Sequence, residues 1–170
     1  VKGFFPAKPS DQPEWVKEVG FGRQSVAITL ENCYDDWCMS ILAKELNKEE
    51  DYQYYLKRAL NYQNVFDTAT GFMRPKTADG RWIEPFDPIW SGGQGRREFY
   101  TENNGWNYTW YVPHDVEGLI GLMGGREKFT DKLQTMFETN VPLYQKYDFL
   151  KQYPDMTGWI GMYSHGNEIT

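Results

Sequence analysis

SVAITLENCYDDWCMSILAKELN, residues 25–47, is the stretch whose reading decides the fold class. Val26, Leu30, Cys33, Trp37 and Ile41 recur at helical spacing, and Ala27, Tyr34, Cys38 and Leu42 widen the same apolar face. So wide a face predicts a largely buried helix. The remaining side reads Ser25, Thr29, Asn32, Asp36 and Ser40: small polar groups and one carboxylate. A solvent face usually interleaves Lys and Glu instead. Such a stripe suits a helix lining a wet cleft; a lightly charged surface face is the alternative.

Working outward, the acidic turn 47–51 opens a second helix over about Glu49 to Phe66, faced by Tyr52, Tyr55, Leu56, Ala59 and Leu60. The short link predicts an antiparallel helical hairpin. Residues 67–104 form a long loop rich in Gly and aromatic residues, with strand pieces at Phe72–Arg74 and Trp82–Glu84 turning at Ala78–Gly80. Helical stretches follow at Gly105 to His114, Asp115 to Met123 (capped by Asp115, ended by Gly124-Gly125) and Arg126 to about Asn140. A short helical or irregular piece spans 141–150. Upstream of Ser25, KGFFPAKPSDQPEW (2–15) reads as a coil with aromatic anchors. The fold expected is mainly α, built of helical hairpins with long aromatic and Gly-rich loops.

Asp155–Thr170, DMTGWIGMYSHGNEIT, fits neither a helix nor a strand period. A loop of this kind sets Glu168 beside aromatic surface, where desolvation raises a carboxyl toward general-acid duty. A plain surface turn is the alternative. The chain opens on Val1 without an initiator Met and stops directly after this polar cluster. The expectation is therefore a piece of something longer: residues 1–170 as one partial domain, with 1–23 an irregular wrapping segment.

The net charge is −6 with no basic cluster, which argues against nucleic-acid binding. No apolar run approaches the ~20 residues of a membrane span. Aromatic residues make up 17% of the chain, and many lie in loops, where they offer faces for sugar rings as well as core filling. Cys33 and Cys38, five apart in a helix, cannot join without breaking it and are expected as two buried thiols. A structural zinc site is not expected from two His and this Cys spacing.

Carboxylates, an Arg, amides and Trp at loop–helix junctions are the groups a neutral polyol needs. They occur here in TLENCYDDWC (29–38), NYQNVFDTATGFMRPK (61–76), YTENNGWNYTWYVPHDVEGLIGLMGG (100–125) and TGWIGMYSHGNE (157–168). Through these strings the chain resembles glycoside hydrolase family 92, the calcium-dependent exo-acting α-mannosidases. The resemblance runs over nearly all of the chain from about Ser25. It implies part of an (α/α)6 toroid and an inverting release of terminal mannose from glycans, of α-1,2 type, although no residue here selects a linkage. It implies Glu168 as general acid, with the general base in a motif beyond Thr170. Asp35 or Asp36, with Asp36 preferred for its place on the polar stripe, would bind mannose hydroxyls. Arg74, Glu102, Trp106 and His165 match positions near the sugar. Ca2+ is implied as cofactor, its ligands at least partly outside this chain. The family continues after the Glu with Pro-Ser where this chain has Ile169-Thr170, which leaves the following loop geometry open.

Further expectations follow from the resemblance. The partners are a mannose-containing glycan and the rest of a longer polypeptide, or further copies of the fragment, which alone would be inactive. A full-length bacterial-type protein would be secreted, periplasmic or at the cell surface. The alternative from another class is a non-catalytic helical domain that binds carbohydrate or a partner through its Trp and Tyr. For single residues the structural alternatives are Asp35 paired with helix neighbours, Arg74 as an ion pair and Trp106 as a core ring. Asn107-Tyr108-Thr109 fits a glycosylation acceptor but reads as structure.

Overall fold

The computed structural model describes residues 2–9, 17, 22–89, 99–101, 103–142, 152–155 and 157–159. It is mainly α. Helix α1 (Ser25–Glu45) and helix α2 (Glu49–Ala59) form the expected hairpin, and α2 tightens into a 3-10 turn at Leu60–Asn64. Asn47 takes the left-handed conformation (φ 54°) that ends α1, with Lys48 N–H donating to Ala43 O at 2.8 Å.

The polar stripe of α1 is buried more deeply than a wet face would be. Ser25, Thr29, Asp36 and Ser40 are all buried, while Met39, Ile41, Leu42 and Leu46 are exposed. For Thr29, Asn32 and Ser40 the reason is local. Thr29 Oγ1 donates to Ser25 O, Asn32 Nδ2 to Ile28 O and Ser40 Oγ to Trp37 O, each at 2.7 Å. Side chains satisfied on their own helix can be packed without a stranded donor. The apolar face of the C-terminal half meets no neighbour that covers it among the described residues. Cys33 is buried as expected, but Cys38 is exposed, because it lies on that uncovered side; both thiols are free.

The second helix ends earlier than its apolar face suggested. Phe66–Asp67 (β1) instead pairs antiparallel with Phe72–Met73 (β2) across the turn at Gly71. The 77–80 turn exists, with Lys76 bridged to Trp82 and Ile83 N–H donating to Pro75 O, so β2 and the Trp82 strand piece are not partners of each other.

Of the stretch expected from Gly105 to His114, only one turn is helical, α3 (Gly105–Tyr108), capped by Asn104 Oδ1 accepting from Asn107 N–H. Thr109 is fully buried and its hydroxyl bridges Met73 N–H and Gly105 O, so the 107–109 string is structural. Helix α4 (Val116–Met123) is capped by Asp115 and ends at Gly124 (φ 90°), as expected. Helix α5 (Arg126–Glu138) stops short of Asn140, which enters strand β3 (Asn140–Pro142). Strand β4 (Thr157–Trp159) pairs with β3, a correction to the reading of 155–170 as wholly irregular. Residues 143–151 and 160–170 lie outside the described residues.

The main core joins Val26, Leu30 and Cys33 of α1 to Tyr62, Val65, Met73, Tyr100, Val112 and Leu119. A smaller cluster of Phe72, Trp106 and Met136 ties β2, α3 and α5 together. Tyr62 O–H donates to Asp115 Oδ2 at 2.8 Å, which docks the hairpin on α4.

Candidate functional site

The polar stripe does line a cleft. Thr29, Asn32, Cys33 and Asp36 of α1 face Tyr54, Lys57 and Arg58 of α2, with Asn61 beside them and Gly3–Phe5 along the rim. The space is about 490 Å³. Arg58 Nε donates to both oxygens of Asp36 at 3.0 and 2.9 Å, and its Nη1 to Tyr54 Oη at 3.0 Å. A carboxylate has about four lone-pair sites, so Asp36 retains acceptor capacity beside this pair. Hydroxyl, amide, carboxylate and ring surface together are chemistry suited to a polyol. Cys33 is no nucleophile here: burial, and then the charge of Asp36, push its thiol up to about 12. Asp35, the other member of the acidic pair, is exposed.

Arg74 and Trp106 belong to a different grouping. Arg74 is buried, with Nη1 donating to Asp67 Oδ2 at 2.7 Å and Nη2 to Glu84 Oε1 and Ile83 O at 2.6 and 3.0 Å. Asp67 also accepts from Ala69 N–H and Thr70 O–H. The Arg74 guanidinium lies 4.4 Å from the Phe86 ring centroid, Phe86 packs edge-on against Phe72, and Phe72 meets Trp106 at 4.8 Å. Two residues 32 apart in sequence are thus joined through two Phe rings. No contact of this run is shared with Asp36. Glu102, His165 and Glu168 lie outside the described residues.

Sequence reasoning missed Arg58, Asp67 and Lys132. Arg58 reads as an ordinary charged residue near the end of a helix, and only the pairing of α1 with α2 reveals its role. Among the described residues no group of three or more His, Cys, Asp and Glu is placed to hold a metal ion. Asp36 and Asp67 are each engaged by an arginine, so neither is arranged as a calcium ligand.

The model of the glycosyl hydrolase family 92 catalytic domain matches residues 2–170. The chain belongs to glycosyl hydrolase family 92. It resembles a family 92 α-mannosidase from Bacteroides thetaiotaomicron solved in complex with mannoimidazole, at 38% identity and a TM-score of 0.70, covering 83% of this chain and 17% of that one. A family 92 inverting mannosidase from the same bacterium aligns at 35% identity and a TM-score of 0.64, over 79% of this chain and 16% of that one. An uncharacterized secreted glycosidase of Arthroderma benhamiae is 32% identical over 161 residues, 82% of this chain and 20% of that protein. The family 92 chain described here therefore spans a fifth or less of the relatives it matches.

Proposed function

We propose that these residues form part of the catalytic domain of an exo-acting α-mannosidase that releases terminal mannose with inversion. The observation that carries this reading is the family match along 2–170, together with 38% identity to a solved α-mannosidase. Its architecture would be the (α/α)6 toroid, to which the α1–α2 hairpin contributes one pair. Glu168 is the general acid that protonates the leaving oxygen. A carboxylate outside these 170 residues is the general base, about 6.5–9.5 Å away across a water. Asp36, in its cleft, is the candidate for binding mannose hydroxyls. Glu102, His165, Asp35, Arg74 and Trp106 complete the proposed sugar surroundings, Arg74 through the Phe86–Phe72 run. Calcium assistance and α-1,2 preference belong to the same proposal; the calcium ligands would lie outside the described residues, and chelation of the full-length protein tests the requirement.

The secreted relative supports export of the full-length protein, and no helix among the described residues is long and apolar enough to cross a membrane. The test is Glu168→Gln in the full-length protein. Hydrolysis of α-mannosides with poor leaving groups should fall by about 10²–10⁴-fold, and good leaving groups should suffer less. Equal loss on both would leave Glu168 a binding or folding role and favour a non-catalytic carbohydrate-binding domain. The isolated chain, with Met39, Ile41, Leu42 and Leu46 exposed, should self-associate on size-exclusion chromatography and turn over no mannoside. An active compact monomer would overturn the assignment of the base.

A further inference from the structure

Lys132 sits in an unusual place for an ammonium. It lies on α5, half-buried, with Nζ 3.3 Å from the centroid of Phe72 and 4.6 Å from that of Trp106. Those rings meet edge to face at 83°, so the cation occupies the corner between two ring surfaces. Among the described residues no carboxylate or hydrogen-bond acceptor pairs with it. Withdrawing an ammonium from water is costly unless something else stabilises its charge. A methionine would fill the same volume without that cost, so what the charge contributes is its attraction to the two faces. The turn at Gly71 (φ 72°), held by its N–H donating to Asp67 O at 2.7 Å, brings Phe72 to the corner, and the α3 turn brings Trp106.

We propose that Lys132 is a positioning residue for sugar binding: its ammonium fixes Trp106, itself only 9% exposed, against Phe72, and so the place of the α3 turn beside mannose. This rests on the reading above that places Trp106 beside the sugar. It adds a residue from outside the sequence strings that carry the family resemblance. Burial alone pushes the Lys132 amine down to about 8, while the ring faces act in the opposite sense and hold the charged form. The cation and the rings therefore depend on each other.

The experiment compares Lys132→Met and Lys132→Arg in the full-length protein, each assayed below its own melting temperature. For an aryl α-mannoside, K132M should raise KM about tenfold with a smaller change in kcat, and K132R should stay close to wild type, because a cation remains over the rings. Unchanged KM in K132M, or K132R folded and as impaired as K132M, overturns the proposal. Near-UV circular dichroism separates this from failure of the mannosidase reading. If the wild-type protein does not turn over mannosides, that reading has failed, and the clamp is judged on the Trp106 band, defined by difference from Trp106→Phe. Loss of that band in K132M supports the clamp; its retention there overturns it.

Discussion

Asp36 and Asp67 are both buried aspartates facing an arginine, yet their pairs do different jobs. In the hairpin, the side chain of Asp36 is 10% exposed while that of Arg58 is 40% exposed, so this pair opens on the cleft. In the loop region, Asp67 and Arg74 are 7% and 5% exposed, and Arg74 also holds Glu84 and the Ile83 carbonyl. The first pair borders the cleft through its more exposed arginine. The second is a buried tie that gives a long, poorly structured loop one geometry. A carboxylate near an arginine therefore says little about function until the exposure of the arginine is known.

The largest effect should come from breaking the buried tie. Arg74→Met leaves the Asp67 carboxylate buried without its cation, which should cost about 3–5 kcal/mol in thermal or denaturant unfolding. The same pair predicts an acid limb. Burial pushes the Asp67 carboxyl up, but the hydrogen bonds from Arg74, Ala69 and Thr70 outweigh it and hold the group below the usual aspartate value. A depressed folded value means the stabilisation is fully present above about pH 4, the unfolded value, and is lost as pH falls through the folded one. Asp67→Asn should flatten that limb of the stability–pH curve. An unchanged acid limb would show that the tie is not what stabilises the loop.

The joint between the two regions gives an intermediate effect. A Cβ on Gly118 would collide with Tyr62 Oη and with the Asp115 carboxylate, so Gly118→Ala must push apart the contact that docks the hairpin on α4. A loss of about 2 kcal/mol is expected. Gly121, in the same helix, has open space where its Cβ would go, and Gly121→Ala should instead stabilise by about 0.5–1 kcal/mol. Equal effects of the two in a thermal melt would mean that the Tyr62–Asp115 joint is not tight.

The helices of this chain were legible because their signals are local: the α1 periodicity, the Asp115 cap, the Gly124 terminus. What escaped depended on partners distant in sequence. Phe66 reads as the end of a helix, but pairing with Met73 makes it a strand. Val141 and Thr157–Trp159 look irregular alone, and become strands only against each other. The same holds for the site. Asp36 stood out by its place on a polar stripe, while Lys132 reads as one more lysine in REKFTDK and gains meaning only from the rings of Phe72 and Trp106.

The smallest stability effect should come from the open pair, where the functional consequence should be clearest. Asp36→Asn keeps an oxygen for Arg58 and removes one charge from a pair whose arginine is 40% exposed. Solvent already screens such a pair, so thermal stability should change by no more than about 1 kcal/mol. If the cleft binds sugar hydroxyls, the variant loses a charged acceptor, and KM for mannosides in the full-length protein should rise while the melting temperature stays nearly constant. The opposite pattern, a large fall in melting temperature at unchanged KM, would make the Asp36 pair a structural tie like that of Arg74. The distinction between the two regions would then collapse, and the polar stripe of α1 would be read as packing between helices, with the sugar site sought on the Arg74–Trp106 side alone.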